Sequence, residues 1–538
     1  MAIRTSPGCA IAIDFGTSNT VVSRWNPATG QSETLKLPGL SLLSAQNPPL
    51  IPSLLYVKNA TETAVVTGQQ VRDQGLDVSR DRRFFRNFKR GIGAEVQGFL
   101  PQLDGQIITF EQVGEWFLTE VIDSIRDIPL PVEALTFTVP VDSFEAYRQW
   151  LGQVCAGLNV EQVRMLDEPT AAALGYGLAD QERLLVIDFG GGTLDISLVQ
   201  LDATVQKTPL GFILKWGQKS FAETSGQQIK TARVLAKAGQ NLGGSDIDGW
   251  LVDYFAQTQG LVKTPLTTRL AERLKIQLSL QTQATEVYFD DETLDTYQLQ
   301  LNREQFEQIL KQNQFFDRLE IAMNQVLQQA RRQGTESADI DAVLLVGGTV
   351  QIPAVQTWVQ QYFAAEKIRC EKPFEAISHG ALQLDLGTKI EDFLYHSYGV
   401  RYWNRREQRQ DWHPIIKSGQ PYPMSEPVEL VLGASLESQP SIELILGELG
   451  ADTGGTEVYF DGDRLITQML TTGQTAVQTL NDTDKGRSIA QLNPPGYPGS
   501  DRIKVLFTVD QQRFLRITVE DLLTNETIVE NQAVVQLS

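Results

Sequence analysis

Two segments of this 538-residue chain carry the same short pattern. IAIDFGTSNTVVS occupies 11–23 and LVIDFGGGTLDIS occupies 185–197. Each reads as an apolar strand, then Asp-Phe-Gly, then small residues with Thr, then a second strand. The copies start 174 residues apart, far too long a period for a solenoid. The pattern predicts two similar lobes, each offering the same hairpin to something between them.

The residue types say what that something is. A buried strand ending in Asp sets one carboxylate, Asp14 or Asp188, at its tip. The glycines that follow permit a tight turn and close approach of backbone N–H groups, which favours anions. Thr17, Ser18, Thr20 and Thr193 add hydroxyl donors. Two such loops face to face would clamp a polyphosphate. The two carboxylates would repel it directly, so Mg²⁺ and its waters must intervene. The arrangement predicts a magnesium nucleotide. GxxxxGK[ST] and HExxH are both absent, which removes the P-loop and zincin routes. VLLVGGTVQIPAVQ at 343–356 reads as strand, Gly347-Gly348 turn and a helix with Pro353 in its first turn. QNLGGSDIDGW at 240–250 reads as another Gly-Gly turn, at Gly243 and Gly244, before a helix.

Up to about residue 390 apolar strands alternate with amphipathic helices, the latter including 111–127, 268–281 and one long helix over 303–334. Beyond about 395 the chain turns to short alternating runs such as VELVL and DRIKVLFTV, separated by Gly, Pro, Asp and Asn. These read as a β-sandwich. The segment 448–490 reads as a loop or an added hairpin. The net charge is −20, from 46 Lys plus Arg and 66 Asp plus Glu, which argues against nucleic acid as a partner. A local basic run, Arg82, Arg83, Arg86, Lys89 and Arg90, is left to meet a small anion. Three cysteines, Cys9, Cys155 and Cys370, fit no disulfide framework or zinc site. With no signal-peptide pattern and no apolar run of membrane length, a cytoplasmic location without a membrane span is expected.

In this order the elements resemble the 70-kDa heat-shock chaperones of DnaK type, within the actin and sugar-kinase superfamily. The motifs that carry the resemblance are NFKRGIG at 87–93, VPVDSFEAYRQ at 139–149, LDEPTAAALGYG at 166–177 and IDFGGGTLDIS at 187–197. PIIKSGQPYP, SIELILGELG and the run from IAQLNPPGYPG onward are similar to the family's client-binding β-domain. The resemblance implies an α/β two-lobed actin-like ATPase domain with duplicated ribonuclease-H-like lobes at 1–388. A linker at 389–400 and an all-β sandwich substrate-binding domain at 401–538, without the family's helical lid, would follow.

The resemblance also implies roles. Gly16, Thr17, Ser18 and Asn19 would cradle the β- and γ-phosphates of ATP or ADP, with Gly190, Gly191 and Gly192 lining the second turn. Asp14 and Asp188 would hold Mg²⁺ through water, and Asp195 would support the Mg²⁺ or K⁺ shell. Lys89 would contact the γ-phosphate and the attacking water, which Glu168 and Thr193 would position beside Asp188. Gly243 and Gly244, Glu272, Lys275 and Ser279, and Gly347, Gly348 and Gln351 would line the nucleoside pocket. Pro140 and Arg148 would relay its state to the β-domain, where Ile442 and Leu444 are either strand core or lining of a peptide pocket. Four features depart from the family pattern: Gln351 replaces an Arg, Asp167 an Asn and Ser245 an acid, and the linker reads EDFLYHSYGV at 391–400. Client polypeptides, a J-domain cochaperone and a nucleotide exchange factor are the implied partners, and protein folding under stress the implied task. The alternatives are a chaperone-like ATPase whose β-domain binds one specific folded partner, a small-molecule kinase and an actin-like filament protein.

Overall fold

A computed structural model describes residues 9–537 apart from 27–28, 95, 98–99, 129–131, 141–144, 157–161, 178–181, 203–230, 291–292, 384–392, 395–396, 405–408, 418–419, 422, 425, 435, 450–455, 462–463, 470–476, 482–487 and 511–512. The chain divides into two compact units, the first mostly the N-terminal part of the sequence together with Thr456–Met469 and the second mostly the C-terminal part.

The first unit contains two sheets of one topology. In one, the strand order is Gln162–Asp167, Val132–Val139, Cys9–Phe15, Asn19–Asn26, Gln31–Thr34. In the other it is Ile368–Arg369, Ala342–Val346, Arg183–Phe189, Leu194–Asp202, Thr231–Gln240. Each central strand pairs antiparallel with the strand after it, closing the hairpin. On its other edge each pairs parallel with a strand far along the chain. Burial on both faces explains the near-continuous apolar runs, such as Leu184, Leu185, Val186 and Ile187. The duplication anticipated from two hairpins therefore extends to whole sheets.

The helical faces fit their cores. Phe110–Arg126 buries Val113, Phe117, Val121 and Ile125, and Thr109 caps it with Gln112 in a reciprocal box. The long helix expected over 303–334 is two helices, Arg303–Gln312 and Phe315–Arg332. Asn313 turns its amide back onto the Ile309 carbonyl, and Gln314 takes a left-handed conformation (φ 54°). That break rotates the second apolar stripe, so Phe315, Leu319, Met323 and Val326 all meet the core of the second sheet. Gly334 (φ 79°) follows the last turn, as its stop signal required.

The second unit is all β. Asp501–Val509 and Phe514–Asp521 form one hairpin, with Val428–Gly433 and Glu526–Gln536 on its flanks. Ile503, Val505, Phe507, Leu515, Ile517 and Val519 alternate inward and meet Tyr398, Val400 and Leu446 from another sheet. Tyr398 and Val400 belong to the strand Ser397–Asn404, which starts inside the segment read as a linker. Their burial makes that run core rather than connection, and much of the remaining linker lies outside the described residues. The hairpin expected within 448–490 is present as Thr456–Asp461 and Arg464–Met469, and it belongs to the first unit, where it runs parallel to Val96–Gln97.

His379 lies on the short helix Ala376–Ala381 and shares a hydrogen bond of 3.2 Å with Thr34 Oγ1 on the first sheet. Burial, aided by the nearby Lys372 charge, pushes its pKa down to about 4 from an ordinary 6.5. Folding thus favours the neutral ring, and the unfolded chain takes up the proton first as pH falls. The stability this contributes is complete above pH 6.5 and is lost as pH drops towards 4. Urea titrations from pH 7 to pH 4 should show a shallower loss of stability in His379→Gln than in the wild type.

Candidate active site

The two hairpin loops face each other. A methyl group on Gly192 would lie 2.6 Å from Thr17 Oγ1, and one on Gly191 would overlap Ser18 Oγ. Only glycine lets the backbones of the second loop come this close to the hydroxyls of the first. The Gly190 N–H closes its turn on the Thr193 carbonyl at 3.0 Å. Gly16 presents its carbonyl to Ser53 Oγ at 2.7 Å.

The second loop is fixed from outside by the helix Gly244–Gln259. The N–H groups of Gly244 and Ser245 donate to the carbonyls of Gly190 and Gly191 at 3.1 and 2.9 Å, and a side chain on Gly243 would overlap the Gly191 carbonyl. Thr349 Oγ1 donates to the same Gly190 carbonyl at 2.8 Å from the turn Gly348–Gln351. Gly347 is left-handed (φ 86°), and a Cβ there would overlap the Phe189 carbonyl and lie 2.9 Å from Asp188 Oδ1. All four Gly-rich segments therefore meet at one place, as their sequences suggested.

Carboxylates crowd this place. Asp14 accepts from Thr138 Oγ1 at 2.8 Å. Burial and then the Glu168 charge push the Asp14 carboxyl up to about 7. The Asp188 carboxyl is also held well above the ordinary carboxylate range, through burial and the charges of Glu168, Asp195 and Asp14. Asp195 sits directly across the hairpin from Asp188. Lys89 supplies the opposing charge: its Nζ lies 3.3 Å from Glu168 Oε1 and 5.7 Å from the centre of the Phe15 ring. Burial works against the ammonium, but Glu168 and Asp14 outweigh it and its pKa is raised. Glu168 opens the helix Glu168–Gly175, and Asp167 caps that helix by accepting from the Thr170 N–H at 2.9 Å. An Asp at position 167 thus has a structural use of its own.

A cleft of about 440 Å³, counted to its open mouth, runs from Thr17 and Ser18 to the helix Pro265–Leu280. Glu272 lines it and is held by Arg72 Nη2 at 2.8 Å, while Arg269 reaches Asp77 at 3.2 Å. Lys275 pairs with Asp248 at 2.7 Å and donates to the Gly244 carbonyl at 2.8 Å, so it binds the helix start. Ser279 turns its hydroxyl to the Lys275 carbonyl at 3.0 Å, within its own helix. Gln351, half-buried, ends the turn after Gly347 and Gly348.

The basic run does not form a patch. Arg90, nearly buried, pairs with Asp246 at 2.7 Å and donates to the Gly192 carbonyl, tying the Lys89 segment to the second loop. Arg83 pairs with Asp104, while Arg86 lines the cleft. Neither the Arg90–Asp246 pair nor the Arg72–Glu272 pair was legible as a contact in the sequence. Ser245, in place of an acid, donates to Asn87 Oδ1 at 3.0 Å and lies 3.5 Å from Ser18 Oγ. Pro140 ends the strand that carries Thr138, and Arg148 lies in the helix Glu145–Ala156 with its side chain outside the described residues. Ile442 and Leu444 are both buried in the core of the second unit, so neither lines a surface pocket.

The Hsp70 protein family model matches residues 101–208 and 230–390, half of the sequence. This chain belongs to the Hsp70 family. Its fold is accordingly a two-lobed actin-like ATPase domain followed by a β-sandwich. It is 26% identical over 442 residues to the chaperone protein dnaK1 of Synechocystis, covering 78% of this chain and 55% of that protein. It is 25% identical over 392 residues to the chaperone protein DnaK of Thermotoga petrophila, covering 69% of this chain and 58% of that one. The DnaK of Thermosipho africanus is 26% identical over 391 residues, with the same two shares. The chain thus spans a little over half the length of the curated relatives it matches.

Gly191→Ala would place a methyl group where Ser18 now sits and force this Hsp70-family cleft open. Nucleotide affinity measured by calorimetry is expected to fall about tenfold or more, roughly 1.4 kcal/mol.

Proposed function

We propose that this chain binds magnesium ATP between the two hairpin loops, hydrolyses it, and couples hydrolysis to the binding and release of polypeptide by the second unit. The observation that carries the reading is the apposition of the duplicated loops around a buried Lys89–Glu168 pair. Loop N–H groups and the hydroxyls of Thr17 and Ser18 would hold the phosphates. The Lys89 ammonium would balance charge on the terminal phosphoryl group, and Glu168 and Thr193 would orient the attacking water.

The crowded carboxylates fit a divalent cation. Asp14 and Asp188 are buried, repel each other and are costly to ionise without one. Among the described residues no three His, Cys, Asp or Glu side chains converge to cage a metal directly. Asp14, Asp188 and the neighbouring Asp195 would therefore hold magnesium through water, with potassium as a further candidate ion. Magnesium, when bound, would spread the charge of the triphosphate.

The nucleoside would lie along Glu272, Lys275, Gly347, Gly348 and Gln351. With Lys275 engaged by the helix Gly244–Gln259 and Ser279 by its own helix, Glu272 and the glycine backbones carry most of that contact. The Arg72–Glu272 and Arg269–Asp77 pairs line the same cleft and would bear on nucleotide exchange. Polypeptide contact in the second unit falls to exposed apolar groups. Leu436 is 68% exposed and Tyr497 57%, and both flank the pair Gln439–Gly496. A J-domain cochaperone, an exchange factor and a cytoplasmic setting belong to the same proposal; among the described residues no helix is long and apolar enough to cross a membrane.

Lys89→Ala and Thr193→Ala should each retain ADP binding while single-turnover hydrolysis drops by about 10²–10³, the usual cost of losing one such donor. Wild-type turnover in Lys89→Ala would refute the assignment. Leu436→Glu should weaken binding of a fluorescent Leu-rich peptide about tenfold, as for a lost apolar anchor, with ATP turnover in the absence of peptide unchanged.

A further inference from the structure

Tyr147 has no place in the reading above, yet the structure brings it to the same site. It lies on the helix Glu145–Ala156 and is only 5% exposed. Its ring packs on Trp150 at 5.4 Å between centres, and Trp150 packs on Phe15 at 6.4 Å. Phe15 follows Asp14 and lies under the Lys89 ammonium. The other side is fixed as well. Gly93, at the end of the Lys89 segment, is left-handed (φ 72°), and a Cβ on it would lie 3.0 Å from the Tyr147 backbone nitrogen. The Gly93 N–H donates to Glu111 Oε1 at 3.0 Å, and Trp150 Nε1 donates to the Glu111 carbonyl at 3.0 Å. Ring and Lys89 segment are therefore held by one set of contacts.

The hydroxyl is the anomaly. It is buried and has no hydrogen-bond partner among the described residues. A stranded donor is unfavourable, and phenylalanine would fill the same space without it. The charged groups it senses are Lys89, Glu168 and Asp14. Burial, with the two carboxylates, pushes the phenol up to about 12 against the pull of Lys89. It stays a neutral donor throughout the working pH range, beside the place where a terminal phosphoryl group would sit.

We propose that Tyr147 is a further catalytic residue, whose hydroxyl donates a hydrogen bond to a γ-phosphoryl oxygen of bound ATP beside Lys89. The inference rests on the ATPase reading and adds a residue to it. Its particular signature is discrimination between ATP and ADP, since only ATP carries the accepting group.

The test is Tyr147→Phe in the full chain, with calorimetry for ATP and ADP, single-turnover hydrolysis and thermal unfolding. ATP affinity and turnover are each expected to fall about tenfold, the loss of one donor to a charged acceptor. ADP affinity should stay within about twofold, and the unfolding midpoint should hold or rise. Unchanged ATP affinity and turnover beside an active wild type would overturn the role of Tyr147 alone. Equal losses for ATP and ADP with a lowered midpoint would also overturn it, marking a packing residue. A wild type that binds ADP and ATP but cleaves neither would overturn the ATPase reading, and the role of Tyr147 in turnover with it.

Discussion

Buried negative charge is the constraint around which the first unit is arranged. Asp14 and Asp188 sit where burial and the neighbouring Glu168 charge disfavour their ionised forms, and Lys89 is the cation that faces them. A chain left to itself would separate such groups. Here each sits at a point fixed by regular structure: Asp14 and Asp188 near the ends of central strands, Glu168 at the first turn of a helix, Lys89 in a short 3-10 turn. The hairpin partner pairs with both aspartates, Asp14 opposite Val21 and Asp188 opposite Asp195, and on its other side Asp188 also pairs in parallel with Val346. The cores behind the sheets hold the charges together, which is how a structure comes to store a demand for a cation and a polyanion.

The glycines convert that store into a site. Gly191 and Gly192 bring two loops within side-chain distance, and Gly243 and Gly347 let a helix start and a strand end press against the second loop. Cross-lobe contacts then set the spacing. Arg90 reaches Asp246 and the Gly192 carbonyl from the segment that carries Lys89, so a shift of the second loop would be felt at the lysine one residue away. Along the cleft the Arg72–Glu272 and Arg269–Asp77 pairs do the same for the nucleoside side. Arg72, Glu272 and Arg269 are partly exposed and Asp77 is buried, so the two pairs differ in how far solvent screens them.

Much of this was legible in the sequence because it is local. The Asp-Phe-Gly strands, their glycines and the Gly-Gly turns at 243 and 347 are encoded within runs of about ten residues, and periodicity places each on a strand end or helix start. Contacts between distant segments were not legible. Nothing near Arg72 announces Glu272, and nothing near Arg83 or Arg90 announces Asp104 or Asp246, so a basic run read as one patch separates into arginines with different partners. The break between Gln312 and Phe315 was missed because both halves keep a helical apolar period, and the left-handed Gln314 changes only its phase. The start of the strand at Ser397 was missed because its buried hydrophobic residues, Tyr398 and Val400, are separated by Gly399 and flanked by Ser397 and Arg401.

The same distinction separates Ile442 from the role proposed for Tyr147. Ile442 lies on the strand Gln439–Glu443 and Leu444 just past its end, and their spacing of two suggests a shared face without saying whether that face meets solvent or another sheet. The opposing Phe507 and Ile517 decide it, and the face is core. Tyr147 lies in an amphipathic helix, where an aromatic residue reads as one more core side chain. Packing alone does place its ring in the core. Its hydroxyl differs, because the neighbours that give it meaning, Lys89, Glu168 and Asp14, come from three other segments. A side chain can satisfy the core with its carbons and the active site with one oxygen, and only the three-dimensional environment of that oxygen separates the two roles.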